Sequence, residues 1–422
     1  MTNDSSHHSL VARSGGTSRF FLGLSVAVVC IAAGLGYVLF SALPGGAGPV
    51  QAASIKGVVD WQLEQNPMQT PTADSLTADR IIGQMSDGAG STPGLHARWT
   101  RLLVYWDGLQ PTAPSTSGAK YNQAYVGRLK MIVTKLTAKH INVILSMTNV
   151  PQWASNKTLW SSPPKGVRRG YQPFYAMNYT NPAVMTGFRN MAAYLASTLG
   201  PLGATKFEVW NEPNISRSLY PQRKGRKLPD YGLRVYRAML QSFWSGVKSV
   251  NRSYTVIAGG TAPYGNNSTG ATSPIVWANN LKKHNMSRYF DAYSHHPYTV
   301  VGSHNIAPNQ LPSDPAHMVN LANLNVLLKI YPTKPFYLTE FGYATRYNPA
   351  FGVKVSQAKQ AAFLTKAYAM ARSHKQVKAM LWYMMRDWAP NPSHPTSQGV
   401  YTGLMNLDGS LKPSWTAFRR VP

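Results

Sequence analysis

The chain of 422 residues contains a single cysteine, and its 42 Lys and Arg residues against 15 Asp and Glu give a net charge of +27. Cys30 lies in an apolar N-terminal run, which excludes a disulfide framework within one folded domain. The positive charge alone would suit a nucleic-acid binder, but no basic helix, zinc-finger spacing or aromatic RNA-binding signature accompanies it, so we expect no nucleic-acid partner.

The first element along the chain is an uncharged, mostly apolar run at residues 20–43. A helix needs about 20 such residues to span a bilayer, so this run is long enough to be a transmembrane anchor. Arg13 and Arg19 precede it, and the next charged residue is Lys56. The positive-inside rule then predicts a cytoplasmic tail at residues 1–19 and places the rest of the chain outside.

A Gly-, Pro- and Ala-rich linker follows at residues 44–54. Within it, Val50-Gln51-Ala52 resembles the small-x-small site at which signal peptides are cleaved. Two interpretations therefore remain open. The run is either an uncleaved membrane anchor with an extracytoplasmic catalytic domain, or a cleaved signal that leaves a secreted protein. In both cases residues 55–422 are expected to form the catalytic domain.

Residues 55–422 alternate strand-like runs with amphipathic helical runs. Runs of β-branched and aromatic residues indicate strands, and apolar residues spaced three and four apart indicate helices. The predicted strands are residues 57–60 (the weakest), 101–105, 142–146, 206–210, 255–259, 291–295, 335–339 and 379–383, and the predicted helices are residues 125–139, 182–199, 231–250, 315–330 and 356–373. Strands that alternate with helices indicate a parallel sheet.

This alternation predicts an α/β fold, a (β/α)8 TIM barrel, rather than an open doubly wound sheet. The open sheet would carry a Gly-rich phosphate loop, but neither G-x-G-x-x-G nor a Walker motif follows any predicted strand. Between the first two predicted strands, residues 81–94 look like a loop.

Glutamate is rare in this chain, which has four: Glu64, Glu208, Glu212 and Glu340. Glu212 and Glu340 follow the fourth and seventh predicted strands, in the sequences Trp-Asn-Glu-Pro-Asn and Leu-Thr-Glu-Phe-Gly. Catalytic groups of a barrel project from the C-terminal ends of its strands, and strands four and seven face each other across the mouth. Glu208 lies inside the fourth strand, so we interpret it as a structural residue paired with a cation of the barrel.

Two facing carboxyl groups are the arrangement that cleavage of a glycosidic bond requires. One group protonates the leaving oxygen, and the other stands at the opposite face of the anomeric carbon. When they lie about 5 Å apart, the second can attack directly, which retains the anomeric configuration. A lone glutamate at a strand end is more often a solvated terminus, but two such residues among four glutamates favour catalysis.

The two motifs resemble the acid/base and nucleophile signatures of clan A, the large clan of retaining (β/α)8 glycoside hydrolases, with families 39 and 5 the nearest in character. The resemblance extends over roughly residues 95–420. It implies a carbohydrate substrate, with Glu212 as general acid/base and Glu340 as nucleophile. It also implies that Asn211 binds the 2-hydroxyl of the sugar.

Other residues resemble site residues of the clan in their position along the chain. Arg101 would orient the nucleophile, Tyr298 would donate a hydrogen bond to it, and His296 would shape the site. Trp382 would form the floor of a sugar subsite. A structural role is the alternative for three of them: a buried ion pair for Arg101, a satisfied buried histidine for His296 and core packing for Trp382.

Trp106 and Trp153 each follow a predicted strand, and two interpretations stay open for them. Their rings either stack on sugar faces or fill the core. His295 and His296 are adjacent, so on a strand they face opposite sides and cannot readily share a metal ion, and His295 is more often structural. A metal site would need clustered His, Asp or Glu at ligand spacing, so we expect no metal, and no cofactor is implied.

Basic residues cluster in predicted loops at residues 161–175 and 216–229 and would attract an anionic polymer. These loops support a second class of function, a non-catalytic glycan-binding barrel at the cell surface that recognises anionic polysaccharide. A degenerate enzyme usually loses one of its two glutamates, whereas this chain keeps both, which favours the enzyme.

Overall fold

The computed structural model of the protein describes residues 54–64, 75–115, 117–118, 120–156, 159, 176–224, 227–267, 270–299, 307–347, 354–389 and 399–422. The apolar run at residues 20–43 and most of the predicted linker lie outside these ranges, so the anchor or signal remains a prediction. None of the helices within the described ranges is both long enough and apolar enough to cross a bilayer.

Eight parallel strands form a closed barrel, which confirms the predicted fold. They are β1 (Lys56–Val59), β2 (Trp99–Tyr105), β3 (Asn142–Thr148), β4 (Lys206–Glu208), β5 (Thr255–Thr261), β6 (Ala292–His295), β7 (Phe336–Phe341) and β8 (Val377–Tyr383). Each overlaps a predicted strand. The barrel closes through β1, which pairs with β8 (Lys56 with Met380) on one side and with β2 (Gly57 with Trp99) on the other.

A helix follows each strand in the described part of the chain. The helices that pair with the strands in this way are α1 (Ser75–Met85), α2 (Gln123–Ala138), α3 (Pro182–Leu199), α4 (Tyr231–Val250), α5 (Pro274–Lys283), α6 (Asn325–Ile330), α7 (Gln357–Ser373) and α8 (Pro413–Arg420), and a single helical turn, Trp106–Leu109, also follows β2. Side-chain oxygens of Asn122, Asn181, Ser273 and Ser356 accept hydrogen bonds from backbone N–H groups in the first turns of α2, α3, α5 and α7. These caps fix where the four helices begin.

Two predictions made between the strands are wrong. Residues 81–85 complete α1 instead of forming a loop, because Ile81, Ile82 and Met85 bury one face of that helix. Most of the predicted helix at residues 315–330 is irregular. There Asn320 accepts from the backbone N–H of Ala322 at 2.9 Å, and Asn323 accepts from the backbone N–H of Asn320 at 2.8 Å. Side-chain amides that satisfy backbone groups in this way compete with the helix, which begins at Asn325.

Buried apolar residues form two clusters, one inside the barrel and one around it. The inner cluster draws on strand residues alone: Val59, Ile144, Ile257, Ala292, Tyr337, Ala379 and Leu381. The larger cluster combines strand residues with the buried faces of the helices. The inner cluster fills the barrel with side chains, as in other barrels of this size, and leaves the C-terminal ends of the strands to form the site.

The two ends of the described domain meet at the N-terminal face of the barrel. The Lys56 ammonium on β1 donates to the carbonyl oxygens of Val421 at 3.0 Å and Arg419 at 3.4 Å, just beyond and at the end of α8. Burial, with help from neighbouring arginines, lowers the pKa of Lys56 to about 8. A cation at the C-terminus of a helix also offsets the helix dipole, so the first strand and the last helix hold each other in place.

Candidate active site

Glu212 stands in a tight turn directly after β4. The backbone of Trp210 and Glu212 is left-handed, with φ of 82° and 46°, a conformation that non-glycine residues seldom adopt. The Glu212 N–H donates to the carbonyl oxygen of Gly260 at 2.9 Å. A Cβ on Gly260 would lie 2.9 Å from the Trp210 carbonyl oxygen, so the end of β5 needs glycine here. The turn is held by its neighbour and directs the Glu212 side chain to the barrel mouth.

Asn214, the last residue of the Asn-Glu-Pro-Asn motif, clamps this turn to the loop after β5. It is completely buried and its amide donates to the carbonyl oxygens of Thr272 at 2.9 Å and Ala262 at 3.2 Å. Its side-chain oxygen accepts from the Ala262 N–H at 2.8 Å. Asn214 therefore positions Glu212 without facing the site.

Glu340 lies at the end of β7 with one fixed donor on each oxygen. The Arg101 guanidinium lies 2.9 Å from its Oε1, and the Tyr298 hydroxyl donates to its Oε2 at 3.0 Å. All three residues are buried. Burial and the negative charge of Glu340 raise the pKa of Tyr298 well above its usual value, so this hydroxyl keeps its proton and remains a donor.

Arg101 connects three of the predicted site residues. Besides Glu340, it contacts Asn211 Oδ1 at 2.8 Å and His296 Nε2 at 3.1 Å. Its Nε lies 3.8 Å from Glu208, so Arg101 is the barrel cation that Glu208 was expected to meet. Burial opposes the charge of Arg101, but the carboxylates around it outweigh burial and raise its pKa further.

His296 lies between the two carboxylates. Its Nδ1 is 3.2 Å from Glu212 Oε1 and 3.8 Å from Glu340 Oε2. Its Nε2 meets the Arg101 guanidinium and the Thr339 hydroxyl, each at 3.1 Å. A guanidinium has no acceptor, so Nε2 accepts and the ring proton is assigned to Nδ1, from which it donates to Glu212. His295, by contrast, is buried against Thr261 and Val319 and belongs to the core.

The two carboxylates come close to each other. One carboxylate oxygen of Glu212, one ring nitrogen of His296 and one carboxylate oxygen of Glu340 lie within 4.8 Å of one another. This spacing would also bring a metal ion within reach of all three residues. Arg101 and Arg217, however, already place guanidinium groups on the two carboxylates. A metal would have to displace both cations and the Nδ1 proton of His296, so the donor set fits a metal poorly.

Arg217 contacts Glu212 from the solvent side. Its Nη2 lies 3.1 Å from Glu212 Oε2, and 64% of its side-chain surface is exposed against 10% for Glu212. Burial alone would raise the pKa of Glu212, but the Arg217 guanidinium and the His296 hydrogen bond outweigh it and lower the pKa to about 2. Without a ligand Glu212 is therefore ionised at neutral pH.

Trp382, predicted to floor a sugar subsite, and Trp106 and Trp153, for which stacking on sugar or core packing stayed open, all pack against other residues of the domain. Trp382 is fully buried, donates from Nε1 to the Thr402 carbonyl oxygen at 2.8 Å, and packs against the Phe341 ring. Trp106 is also fully buried, and Trp153 packs edge-on against it. For Trp382 this is a correction: alternate strand residues face opposite sides, so it points outward into the helix layer.

Sequence reasoning missed Tyr383, the next residue on β8. Tyr383 packs on the inner cluster, and its pKa is raised well above the usual value by burial and by the nearby charges of Glu340 and Glu64. The register of β8 was the signal that could have found it, because the residues beside Trp382 must face inward.

The segment after β1 supplies a further acidic group that was not predicted. Glu64 is buried, and burial raises its pKa to about 8, opposed by Arg101 and reinforced by Glu340. Its Oε1 finds no hydrogen-bond partner among the described residues. Trp61, three residues before it, stacks on Trp388 with ring centroids 5.6 Å apart. The rule that site residues follow barrel strands could have found this segment, but β1 was the weakest predicted strand.

The predicted basic loops are described only in part. Lys165, Arg168 and Arg169 of the first loop, and Arg226 of the second, lie outside the described residues. In the second loop Lys224 is exposed and lies over the Tyr231 ring, 5.7 Å from its centroid. Binding of an anionic polymer by these loops remains a prediction.

Comparison with known families finds a match over most of the chain. A family model with the description "Family of unknown function (DUF5722)" matches residues 110–422. The matched segment includes Asn211, Glu212, His296, Tyr298 and Glu340, and it begins after β2. No curated protein matches the chain in sequence.

Solved structures share the fold. A family 39 glycoside hydrolase from Bacteroides cellulosilyticus WH2 has a TM-score of 0.55 at 20% identity, and the match covers 88% of this chain and 63% of that one. A monomeric β-xylosidase from Caulobacter crescentus CB15 has a TM-score of 0.58 at 18% identity, covering 88% and 68%. A GH5_18 protein from Bifidobacterium longum subsp. infantis has a TM-score of 0.59 at 15% identity, covering 88% and 79%. At the level of the fold, the predicted resemblance to families 39 and 5 is confirmed.

Proposed function

The chain belongs to the family of unknown function DUF5722, and for this member we propose the activity of a retaining glycoside hydrolase that cleaves O-glycosidic bonds of an extracellular oligo- or polysaccharide. The observation that carries the proposal is the pair Glu212 and Glu340 at the ends of β4 and β7, with atoms within 4.8 Å of each other. Retaining enzymes keep their two carboxyl groups about 5 Å apart, whereas inverting enzymes need about 6.5–9.5 Å to admit a water.

In the first step Glu340 attacks the anomeric carbon of the bound sugar. The bond from that carbon to the glycosidic oxygen breaks, and Glu212 transfers a proton to the departing oxygen. Arg101 and Tyr298 hold the two Glu340 oxygens, which fixes the direction of attack. The product of this step is a glycosyl ester of Glu340 and a free alcohol.

In the second step Glu212 acts as a general base instead of a general acid. The Glu212 carboxylate takes a proton from a water molecule, and the oxygen of that water attacks the anomeric carbon. The ester bond to Glu340 breaks and the carboxylate returns. His296 Nδ1, at 3.2 Å from Glu212 and 3.8 Å from Glu340, is placed to stabilise whichever carboxylate carries the charge.

Asn211 supports the same reaction. Its side-chain oxygen accepts from Arg101 at 2.8 Å, which fixes the amide and leaves its nitrogen to face a ligand. We propose that this amide binds the 2-hydroxyl of the sugar in the site. Such hydrogen bonds strengthen in the transition state and contribute several kcal/mol in glycosidases.

The location of the reaction is part of the proposal. The uncharged run at residues 20–43, with Arg13 and Arg19 before it, supports a membrane anchor or an export signal. The catalytic barrel would then meet its substrate outside the cytoplasm.

The experiment is hydrolysis of a panel of aryl glycosides and polysaccharides by the full-length protein, beside Glu212→Gln and Glu340→Gln. One substrate should turn over with retention, seen in the first-formed anomer by NMR. Glu340→Gln should lose activity on it by at least about a thousandfold, and Glu212→Gln should lose as much on any substrate whose leaving group needs protonation. Azide added to Glu212→Ala should give a glycosyl azide of the substrate's configuration, and azide added to Glu340→Ala the opposite one. Thermal unfolding of each variant checks that it is folded.

Two results would overturn the proposal. First-formed product of inverted configuration would replace the retaining mechanism with an inverting one. Glycan binding without turnover, equal in the wild type and both variants, would instead favour the non-catalytic glycan-binding barrel.

A further inference from the structure

The ion pair between Arg217 and Glu212 opposes the role of Glu212 as general acid in the first step. A general acid must hold a proton at the working pH, but Arg217 pairs with Glu212 Oε2 at 3.1 Å and favours the ionised form. Among the described residues, Glu212 is faced by Arg217 from the loop after β4, His296 from the end of β6, Tyr298 after it, and Glu340 from β7, with the buried His295 behind His296. Of these, Arg217 alone is largely exposed, so it is the one that a ligand can reach and move.

The position of Arg217 shows which part of a substrate would meet it. Glu212 Oε1 faces His296 and the nucleophile side, whereas Oε2 faces Arg217 and solvent. The sugar that reacts lies against Glu340, and the glycosidic oxygen lies against Glu212. A group that contacts Arg217 is therefore part of the leaving group, on the far side of Glu212 from Glu340.

The chemistry of Arg217 shows what kind of group it would bind. A guanidinium presents a fork of donors that matches a carboxylate, sulfate or phosphate with two parallel hydrogen bonds. It already binds one carboxylate here, that of Glu212. The chain as a whole carries a net charge of +27, which attracts anions to it.

We propose that Arg217 binds an acidic group on the leaving-group side of the substrate and exchanges its ion pair with Glu212 for that group. The inference rests on the proposed glycosidase activity and names a substrate class for it: glycosides whose leaving group carries an anion. When the guanidinium moves, Glu212 is left buried beside Glu340 and takes up one proton from solvent. That proton is the one it passes to the glycosidic oxygen.

Three aryl glycosides of one sugar test this with the full-length protein. The 2,4-dinitrophenyl leaving group departs with little protonation, so its cleavage does not depend on Glu212 as an acid. The phenyl and 3-carboxyphenyl groups both need protonation and differ mainly in charge. Wild-type kcat/KM at pH 7 should favour the 3-carboxyphenyl glycoside over the phenyl glycoside by at least about tenfold, the scale of one hydrogen bond to a charged group.

Arg217→Gln should abolish that preference, and its kcat/KM for the dinitrophenyl glycoside, whose leaving group needs no proton, should change much less than its kcat/KM for the 3-carboxyphenyl glycoside. The pH profile of kcat/KM for the phenyl glycoside reports ionisation of the free enzyme. In Arg217→Gln the basic limb of this profile should move to higher pH, because Glu212 without the guanidinium keeps its proton up to a higher pH. Arg217→Lys should retain part of the preference for the anion. Arg234→Gln removes an exposed arginine of α4 that pairs with Asp230 instead, and it should change none of these values.

The outcomes separate the two proposals. If no dinitrophenyl glycoside is cleaved, whichever sugar it carries, the glycosidase proposal fails and this inference fails with it. If it is cleaved but phenyl and 3-carboxyphenyl glycosides react equally, or Arg217→Gln slows all three alike, Arg217 has only a structural role and the inference is overturned.

Discussion

Each oxygen of Glu340 has its own donor, and the two donors differ in what their loss would do. Arg101 also holds Asn211, His296 and Glu208, so its replacement would disturb the whole site. Tyr298 contributes one hydroxyl to Glu340 at 3.0 Å, and phenylalanine would preserve its ring. The hydroxyl can therefore be tested apart from the packing.

Tyr298→Phe should lower kcat by about tenfold to a hundredfold with a smaller change in KM, because the lost donor orients the attacking carboxylate. Tyr194→Phe is the matched control. That ring belongs to the outer helix α3 and stacks on Tyr121, with centroids 3.9 Å apart, and its variant should keep wild-type kcat. Equal kcat for Tyr298→Phe and wild type would remove Tyr298 from the catalytic machinery.

Glu64 makes stability depend on pH in a defined direction. Its pKa is raised from 4.5 to about 8 in the folded protein, so the folded state keeps this proton after the unfolded chain has lost it. Its contribution to stability is fully present below pH 4.5 and is lost as the pH rises towards 8. Glu64→Gln should remove this loss, so the variant should exceed wild type in free energy of unfolding at pH 8 by a few kcal/mol at most.

Urea unfolding at several pH values measures this difference, with the two curves expected to converge near pH 4. A constant offset between wild type and Glu64→Gln at every pH would mean that the carboxyl titrates normally in the folded protein.

At the scale of elements, hydrophobic periodicity located all eight barrel strands, because strands with both faces covered read as short apolar runs. The periodicity failed where local hydrogen bonds determine the backbone conformation, as at Asn320 and Asn323. For the site, two motifs were sufficient to place Glu212 and Glu340, which the barrel brings together from distant parts of the sequence. The register of β8 was not resolved to one residue, and this is why Trp382 was chosen over Tyr383.

The contact between α3 and α4 depends on a glycine. A Cβ added to Gly246 on α4 would lie 2.2 Å from the Arg189 carbonyl oxygen and 3.0 Å from Ala192 Cβ. Gly246→Ala would force the helices apart and should destabilise the protein by about 2–3 kcal/mol, as overpacking of a core does. The decrease should appear as a lower urea midpoint.

Gly127→Ala on α2 is the matched control, because a Cβ there meets nothing within 4 Å. An exposed helical glycine replaced by alanine should instead stabilise the protein by about 0.5–1 kcal/mol. If both variants shift stability in the same direction, close packing of α4 on α3 is not what Gly246 provides.

At the scale of the whole molecule, 42 basic against 15 acidic residues produce strong self-repulsion. Raising NaCl from 0.1 to 1 M shortens the Debye length from about 10 Å to about 3 Å. The melting temperature should therefore rise by several degrees over this range, since screening relieves repulsion that the compact state suffers more than the unfolded one. Calorimetry at a fixed scan rate measures it, and a constant or falling melting temperature would show that local ion pairs dominate.

Closure of the barrel through β1 and β8 also sets an order of events during synthesis. The Tyr368 hydroxyl that bonds the Gly57 carbonyl oxygen lies 311 residues further along the chain. At about 5–20 residues per second, a ribosome needs roughly 15–60 s to supply that partner. Until then β1 has only β2 to pair with, and the nascent chain cannot complete its barrel. A chain that cannot close its barrel until the last strand has been made can still pass through a narrow channel as an unfolded polypeptide. The proposed export would require that state.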